Sequence, residues 1–296
     1  MPLRQFSVSL FTCLLLGLPG SAQETAVSQR PPKPGEYLFD SNGVKIHYVV
    51  SGQGEPVILI HGYGGSHGRD WWRGAQVLSK DYLVIAMDCR GHGKSDKPKD
   101  AASYGDEMAL DVVRLMEHLG IEKAHVAGYS MGGFITGKLL ILHPERIKSA
   151  VIGGAGWIDI DGKWGGMLDE LAVSLETGQG FLPLLESLQP TSGPRMPQVQ
   201  IQGLSRMMLL TNDPKAVAQV ARGLKRLSIP LEEFRKVNVP VLAVVGARDP
   251  LKEAADAVSA VIPGIETIVL DGQDHISAPF SKAFVDAVKA FFDGQK

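Results

Sequence analysis

Cysteine is scarce in this chain: 296 residues contain two, Cys13 and Cys89, too few for a disulfide framework. Charge of one sign is lacking too. Lys and Arg number 30 against 32 Asp and Glu, a formal net charge of -2, and the cations are scattered rather than striped, which excludes a nucleic-acid or other polyanion partner. No long hydrophobic run is present. The longest clear one, residues 8–18, is too short to span a bilayer comfortably. The glycine-rich stretch His61-Gly62-Tyr63-Gly64-Gly65 has neither a Gly-Lys-Ser/Thr ending nor the G-x-G-x-x-G spacing, so a phosphate-cradling role is excluded. Nor do Cys, His and carboxylates recur at transition-metal spacing, and neither a metal nor another cofactor is expected.

What is present is apolar residues, 44% of the chain, enough for one substantial core with a small accessory unit. Residues 1–22 read as a signal peptide: Arg4, the short apolar run, then Pro19-Gly20-Ser21-Ala22 suited to cleavage. Export to the periplasm or the exterior is the expectation, with no stable membrane insertion after cleavage. Cys89 would then be the sole cysteine of the mature chain. Residues 23–35 read as a proline-rich tether. Eight extended stretches follow, at 36–40, 44–50, 56–60, 82–87, 124–127, 147–152, 239–245 and 265–270. Helical patterns at 106–119, 131–142, 253–261 and 279–292 alternate with them, which indicates an α/β fold with a mostly parallel sheet buried on both faces. The alternation stops over 156–230, where short leucine-rich helical segments are divided by turns. This block is expected to form a cap over the strands' carboxyl ends, between core segments 36–155 and 231–296.

The run Gly128-Tyr129-Ser130-Met131-Gly132 follows a short strand and precedes a helical pattern. A serine on that abrupt turn is presented as a nucleophile, and the flanking glycines let strand and helix pack closely behind it. Its hydroxyl needs a base. His275, in the loop after the last strand, is the best of eight histidines, and Asp249, following the preceding strand, is the orienting carboxylate. Asp159, Asp161 and the adjacent Asp274 are the competing carboxylates. Charge developing on a substrate carbonyl oxygen calls for two backbone N–H donors, assigned to Met131 and Tyr63. Trp157 and Trp164 are candidate pocket residues, and Trp71 and Trp72 also flank regions expected near the cleft. The turn at residues 90–95 reads as structural, with Asp88 and Arg90 placed for a local ion pair.

Taken together, the loop at residues 61–65, the turn at 88–95, the elbow at 128–132, Asp249 and His275 resemble the alpha/beta-hydrolase superfamily, in its serine esterase and lipase branch. The resemblance implies an eight-stranded sheet covered by helices on both faces, an inserted helical cap, and a small-molecule ester substrate cleaved through an acyl-enzyme. Related haloalkane dehalogenases and epoxide hydrolases carry an aspartate where Ser130 stands, which argues against those activities. The elbow also resembles that of cofactor-free haloperoxidases and perhydrolases. Lactones, amides and carbon–carbon bonds remain open as substrates, because the same charge development serves them. A binding protein on the same fold is the non-catalytic alternative.

Overall fold

The computed structural model describes residues 32–157 and 160–296. The leader, most of the tether and Asp159 lie outside the described residues. The core begins with strands β1 (Gly35–Ser41), β2 (Val44–Gly52) and β3 (Glu55–Ile60), then short helices α1 (His67–Asp70) and α2 (Trp72–Leu78). Next come β4 (Tyr82–Met87), α3 (Asp106–His118), β5 (Ala124–Tyr129), α4 (Met131–Leu142) and β6 (Ile147–Gly153). Four helices are inserted before the sheet resumes: α5 (Lys163–Glu176), α6 (Leu182–Ser187), α7 (Gln198–Thr211) and α8 (Pro214–Leu224). The chain closes with β7 (Val241–Gly246), α9 (Lys252–Ser259), β8 (Glu266–Leu270) and α10 (Lys282–Asp293).

The eight strands form one sheet in the order β1-β2-β4-β3-β5-β6-β7-β8. Its β1–β2 and β2–β4 pairs are antiparallel and the remaining pairs parallel. Every residue of β4, β5 and β7 is buried, as apolar strands covered on both faces require. Alternation along β3 divides the core: Ile58 and Ile60 pack with the residues of α3 and α4, Val57 and Leu59 with those of α2 and α10.

Topology places the site. From β3 the chain passes to β4 on one side and then to β5 on the other, so the order reverses between β3 and β5. Crevices outside the carboxyl ends of strands at such a reversal are where open α/β sheets bind ligands. The 61–65 loop leaves β3 there, and Ser130 leaves β5. Asp213 caps α8, accepting hydrogen bonds from the amides of Lys215 and Ala216, and Pro214 supplies a fixed first-turn dihedral. Among the described residues no helix is long and apolar enough to cross a membrane.

Candidate active site

Ser130 occupies the turn between β5 and α4 with φ 54° and ψ -117°, a left-handed backbone that a serine rarely adopts. Its main chain is fixed on both sides: the Ser130 amide donates to Gly153 O at 2.8 Å, and the Phe134 amide donates to Ser130 O at 3.1 Å. The two glycines of the elbow leave no alternative. A Cβ on Gly128 would lie 1.9 Å from Gly132 O, and one on Gly132 would lie 2.1 Å from Ile60 O. A strained dihedral held this firmly aims the hydroxyl out of the sheet.

His275 Nε2 lies 2.9 Å from Ser130 Oγ, and its Nδ1 lies 2.9 and 3.1 Å from the two carboxylate oxygens of Asp249. With Nδ1–H donating to the buried carboxylate, Nε2 is free to accept the serine proton. Asp249 Oδ1 also accepts from the Leu251 amide at 2.8 Å, which fixes the carboxylate's own angle. The two competing carboxylates among the described residues are placed elsewhere. Asp274 folds into its own turn, accepting from the amides of Ile276 and Ser277, and Asp161 is exposed. Met131 is the first residue of α4, where an amide has no partner within the helix. Tyr63 sits in the loop after β3, whose Gly62 amide donates to Asp70 Oδ2 at 2.9 Å.

Two cavities meet at Ser130. One runs beneath the cap along Met131, Phe134, Trp157, Trp164, Leu168 and Leu171, and no charged side chain lines it among the described residues. The other lies on the His275 side between α7 and the 275–280 loop, with Leu204, Met207, Met208 and Phe280 in its walls and Arg69 and Asp70 also lining it. Both candidate pocket tryptophans thus line the first cavity. The other two do not line either. Trp71 is buried in the core with its Nε1–H donating to Ile60 O at 3.0 Å, and Trp72 is exposed.

Comparison with known proteins bears on the fold and the family. The family profile described as alpha/beta hydrolase fold matches residues 55–172. The 2-hydroxy-6-oxo-6-(2'-aminophenyl)hexa-2,4-dienoic acid hydrolase of Metapseudomonas resinovorans is 30% identical over 228 residues, which cover 72% of this chain and 74% of that protein. The chain belongs to the alpha/beta-hydrolase fold family. The dihydrolipoyllysine-residue acetyltransferase component of the acetoin cleaving system from Cupriavidus necator is 31% identical over 248 residues, 81% of this chain, and the chain spans only 64% of that protein's length. Among solved structures, the enol-lactonase from Burkholderia xenovorans LB400 superposes with a TM-score of 0.74 at 23% identity, covering 87% of this chain and 100% of that one.

In this alpha/beta-hydrolase fold protein several side chains near the site carry no sequence signature. Tyr129, immediately before the elbow serine, donates its hydroxyl to His275 O at 2.7 Å and so ties the histidine loop to β5. Asp70 holds the Gly62 amide, and Arg69 donates from Nε to Asp70 Oδ1 at 2.7 Å and from Nη1 to Gly64 O at 2.9 Å. His61 accepts from the Cys89 amide at Nε2 and therefore donates from Nδ1 to Gly62 O at 2.7 Å. Burial pushes its pKa down and keeps it neutral.

One expectation needs correction. Arg90 does not pair with Asp88; its guanidinium reaches α3 and grips both carboxylate oxygens of buried Asp111 at 2.6 and 2.7 Å. Asp88 instead gathers His47 and His67, a grouping of possible metal donors that no sequence spacing shows because it joins β2, α1 and the end of β4. Both Asp88 oxygens are engaged. They accept from His47 Nδ1, His67 Nδ1 and the amides of His67 and Lys94, all within 3.0 Å. Burial opposes ionisation of Asp88, but His67, nearby His61 and the two amides outweigh it and hold the carboxyl below its ordinary range.

Proposed function

We propose that the chain is a serine hydrolase acting on uncharged ester carbonyls, whether open-chain esters or lactones, whose acyl part is apolar. The observation that carries this reading is the Asp249–His275–Ser130 relay opening onto an apolar cavity that no charged side chain lines among the described residues. Ser130 Oγ attacks the carbonyl while His275 Nε2 takes its proton. The amides of Met131 and Tyr63 receive the charge that develops on the carbonyl oxygen. Asp249 holds the ring in the required tautomer and stabilises the imidazolium, which then protonates the leaving oxygen. Water activated by the same nitrogen releases the acid. The acyl part occupies the cavity beneath the cap, and the alcohol part the cavity beside His275. In a lactone the released hydroxyl stays tethered to the acyl group. The leader pattern supports an exported enzyme.

Hydrolysis of a carbon–carbon bond next to a ketone is the second reading, favoured by the relative at 30% identity named as a dienoic acid hydrolase. Among the described residues no cation lines the acyl cavity, which weighs against an acidic substrate of that kind, since a buried carboxylate requires a paired charge. Arg69, beside the other cavity, is already engaged with Asp70 and Gly64 O.

A fluorophosphonate probe tests the nucleophile. Labelling of the wild type with none in Ser130→Ala is expected, and a folded wild-type protein that takes no label overturns the reading. A series of p-nitrophenyl esters of graded acyl length, run beside alkyl lactones and a vinylogous diketone, then separates the two readings. Turnover of the diketone alone replaces the first by the second.

A further inference from the structure

The loop at residues 61–65 is gripped from two sides. From the core, Asp70 takes the Gly62 amide and Arg69 reaches Gly64 O. From the cap, the Tyr63 hydroxyl donates to Val217 O in α8 at 2.5 Å, and Phe181 meets the Tyr63 ring edge-on at 6.1 Å. Asn212, between α7 and α8, donates from Nδ2 to Gly64 O at 3.1 Å and to Met208 O at 3.0 Å. Gly64 sits at φ +65° directly beneath, where a Cβ would come within 2.7 Å of Met208 Cε and 3.0 Å of Phe181 Cε1.

Asn212 holds this link at a cost. With Nδ2 facing two carbonyl oxygens the amide's orientation is settled, because turning it over would set Oδ1 against both. Oδ1 is left buried without a hydrogen-bond partner among the described residues. A buried acceptor that pairs with nothing destabilises the fold, so a side chain chosen for stability alone would not be an asparagine here. Arg69 already satisfies Gly64 O, so the loop carbonyl does not need Asn212 to avoid being orphaned.

We propose that Asn212 is a positioning residue: it fastens the oxyanion loop to the cap, so that the Tyr63 amide points at the reacting carbonyl only while the cap is seated. This rests on the hydrolase reading for its effect on rate, and not for its effect on the loop. Lifting α6, α7 and α8 as one unit would withdraw Phe181, Asn212 and Val217 O together, and an open cap would lack one of its two oxyanion donors. Donor direction matters this much because a donor displaced by a fraction of an ångström loses most of its differential hold on the transition state.

The test is Asn212→Leu, which removes the link and the orphaned acceptor at similar volume, with Asn212→Ala as the second variant should leucine not fit. The expected result is a kcat on a p-nitrophenyl ester lower by about tenfold, KM within about twofold of wild type, and a melting temperature that is equal or higher. Amide hydrogen exchange over residues 61–65 should be faster while that of β5 is unchanged. A purely structural residue would lower the melting temperature and leave kcat alone. The proposal is overturned by a kcat within twofold of wild type, or by unaltered exchange in the loop. Should the wild type itself turn over no ester, the hydrolase reading fails and the exchange measurement alone decides this one.

Discussion

Asp249 differs from its rivals in what surrounds its carboxylate. It is buried, held by the Leu251 amide, and shares both oxygens with His275 Nδ1, whereas Asp274 spends an oxygen on its own turn. Replacing it with asparagine keeps the size and removes the charge. The amide then presents either a donor or a weak acceptor to Nδ1, and the ring loses its bias toward the tautomer that leaves Nε2 free. In the proposed reaction Asp249→Asn therefore lowers kcat by about four orders of magnitude with circular dichroism unchanged. Activity near the wild-type level would move the assignment to a carboxylate that approaches only with substrate bound. Cys89 is the opposite case, a group withdrawn from chemistry. Burial first, and then Asp111 and Asp88, push its thiol well above the ordinary range. It should stay unalkylated by iodoacetamide in the native protein and react once urea unfolds the chain, as mass spectrometry would show.

Among the elements, the β5–α4 junction is the least tolerant of change. Gly128→Ala puts a methyl group 2.2 Å from the Gly132 carbonyl carbon and 2.5 Å from Thr136 Oγ1, so the helix must move off the strand that carries it. The expected outcome is loss of soluble protein or a melting temperature lower by well over ten degrees, while Gly203→Ala, on an open face inside α7, keeps the protein soluble and holds or raises the melting temperature. This junction was legible in the sequence because its constraint is local: glycine spacing, a short apolar strand and a helical period all fall between Ala124 and Leu142. The order of Asp249 and His275 after it was legible for a similar reason, each lying just beyond an apolar strand. The links made across the fold were not. Arg90 finds Asp111 rather than Asp88 because α3 packs against β1 and brings an acidic side chain under the turn, a contact 21 residues away that no period encodes. Asp70, Asn212 and the His47–His67–Asp88 group escaped notice likewise. Helices α1 and α2 were also missed, since four and seven residues give too little apolar repeat to register.

At the scale of the whole molecule, acid should act through buried neutral imidazoles. Burial pushes the pKa of His61 down and that of His92, with the nearby His61 adding to the effect, down to about 3. Both are neutral in the folded protein and take up a proton on unfolding below about pH 6.5. The contribution of His92 is therefore intact above pH 6.5 and is lost as pH falls toward its folded-state value, at about 1.4 kcal/mol per pH unit, and His61 adds a loss in the same direction. Urea unfolding at a series of pH values between 7.5 and 5 should show this slope, and His92→Gln should reduce it by about one proton; an unaltered slope would falsify the assignment. The pair of cavities joined at Ser130 bears on the order of events in the proposed reaction. Because the departing alcohol and the retained acyl group lie on opposite sides of the serine, the alcohol vacates its side while the acid is still covalently bound. The emptied space borders His275, the base that the incoming water needs. Two-step turnover with alcohol released first, and transfer of the acyl group to any small alcohol that enters in place of water, follow from that partition.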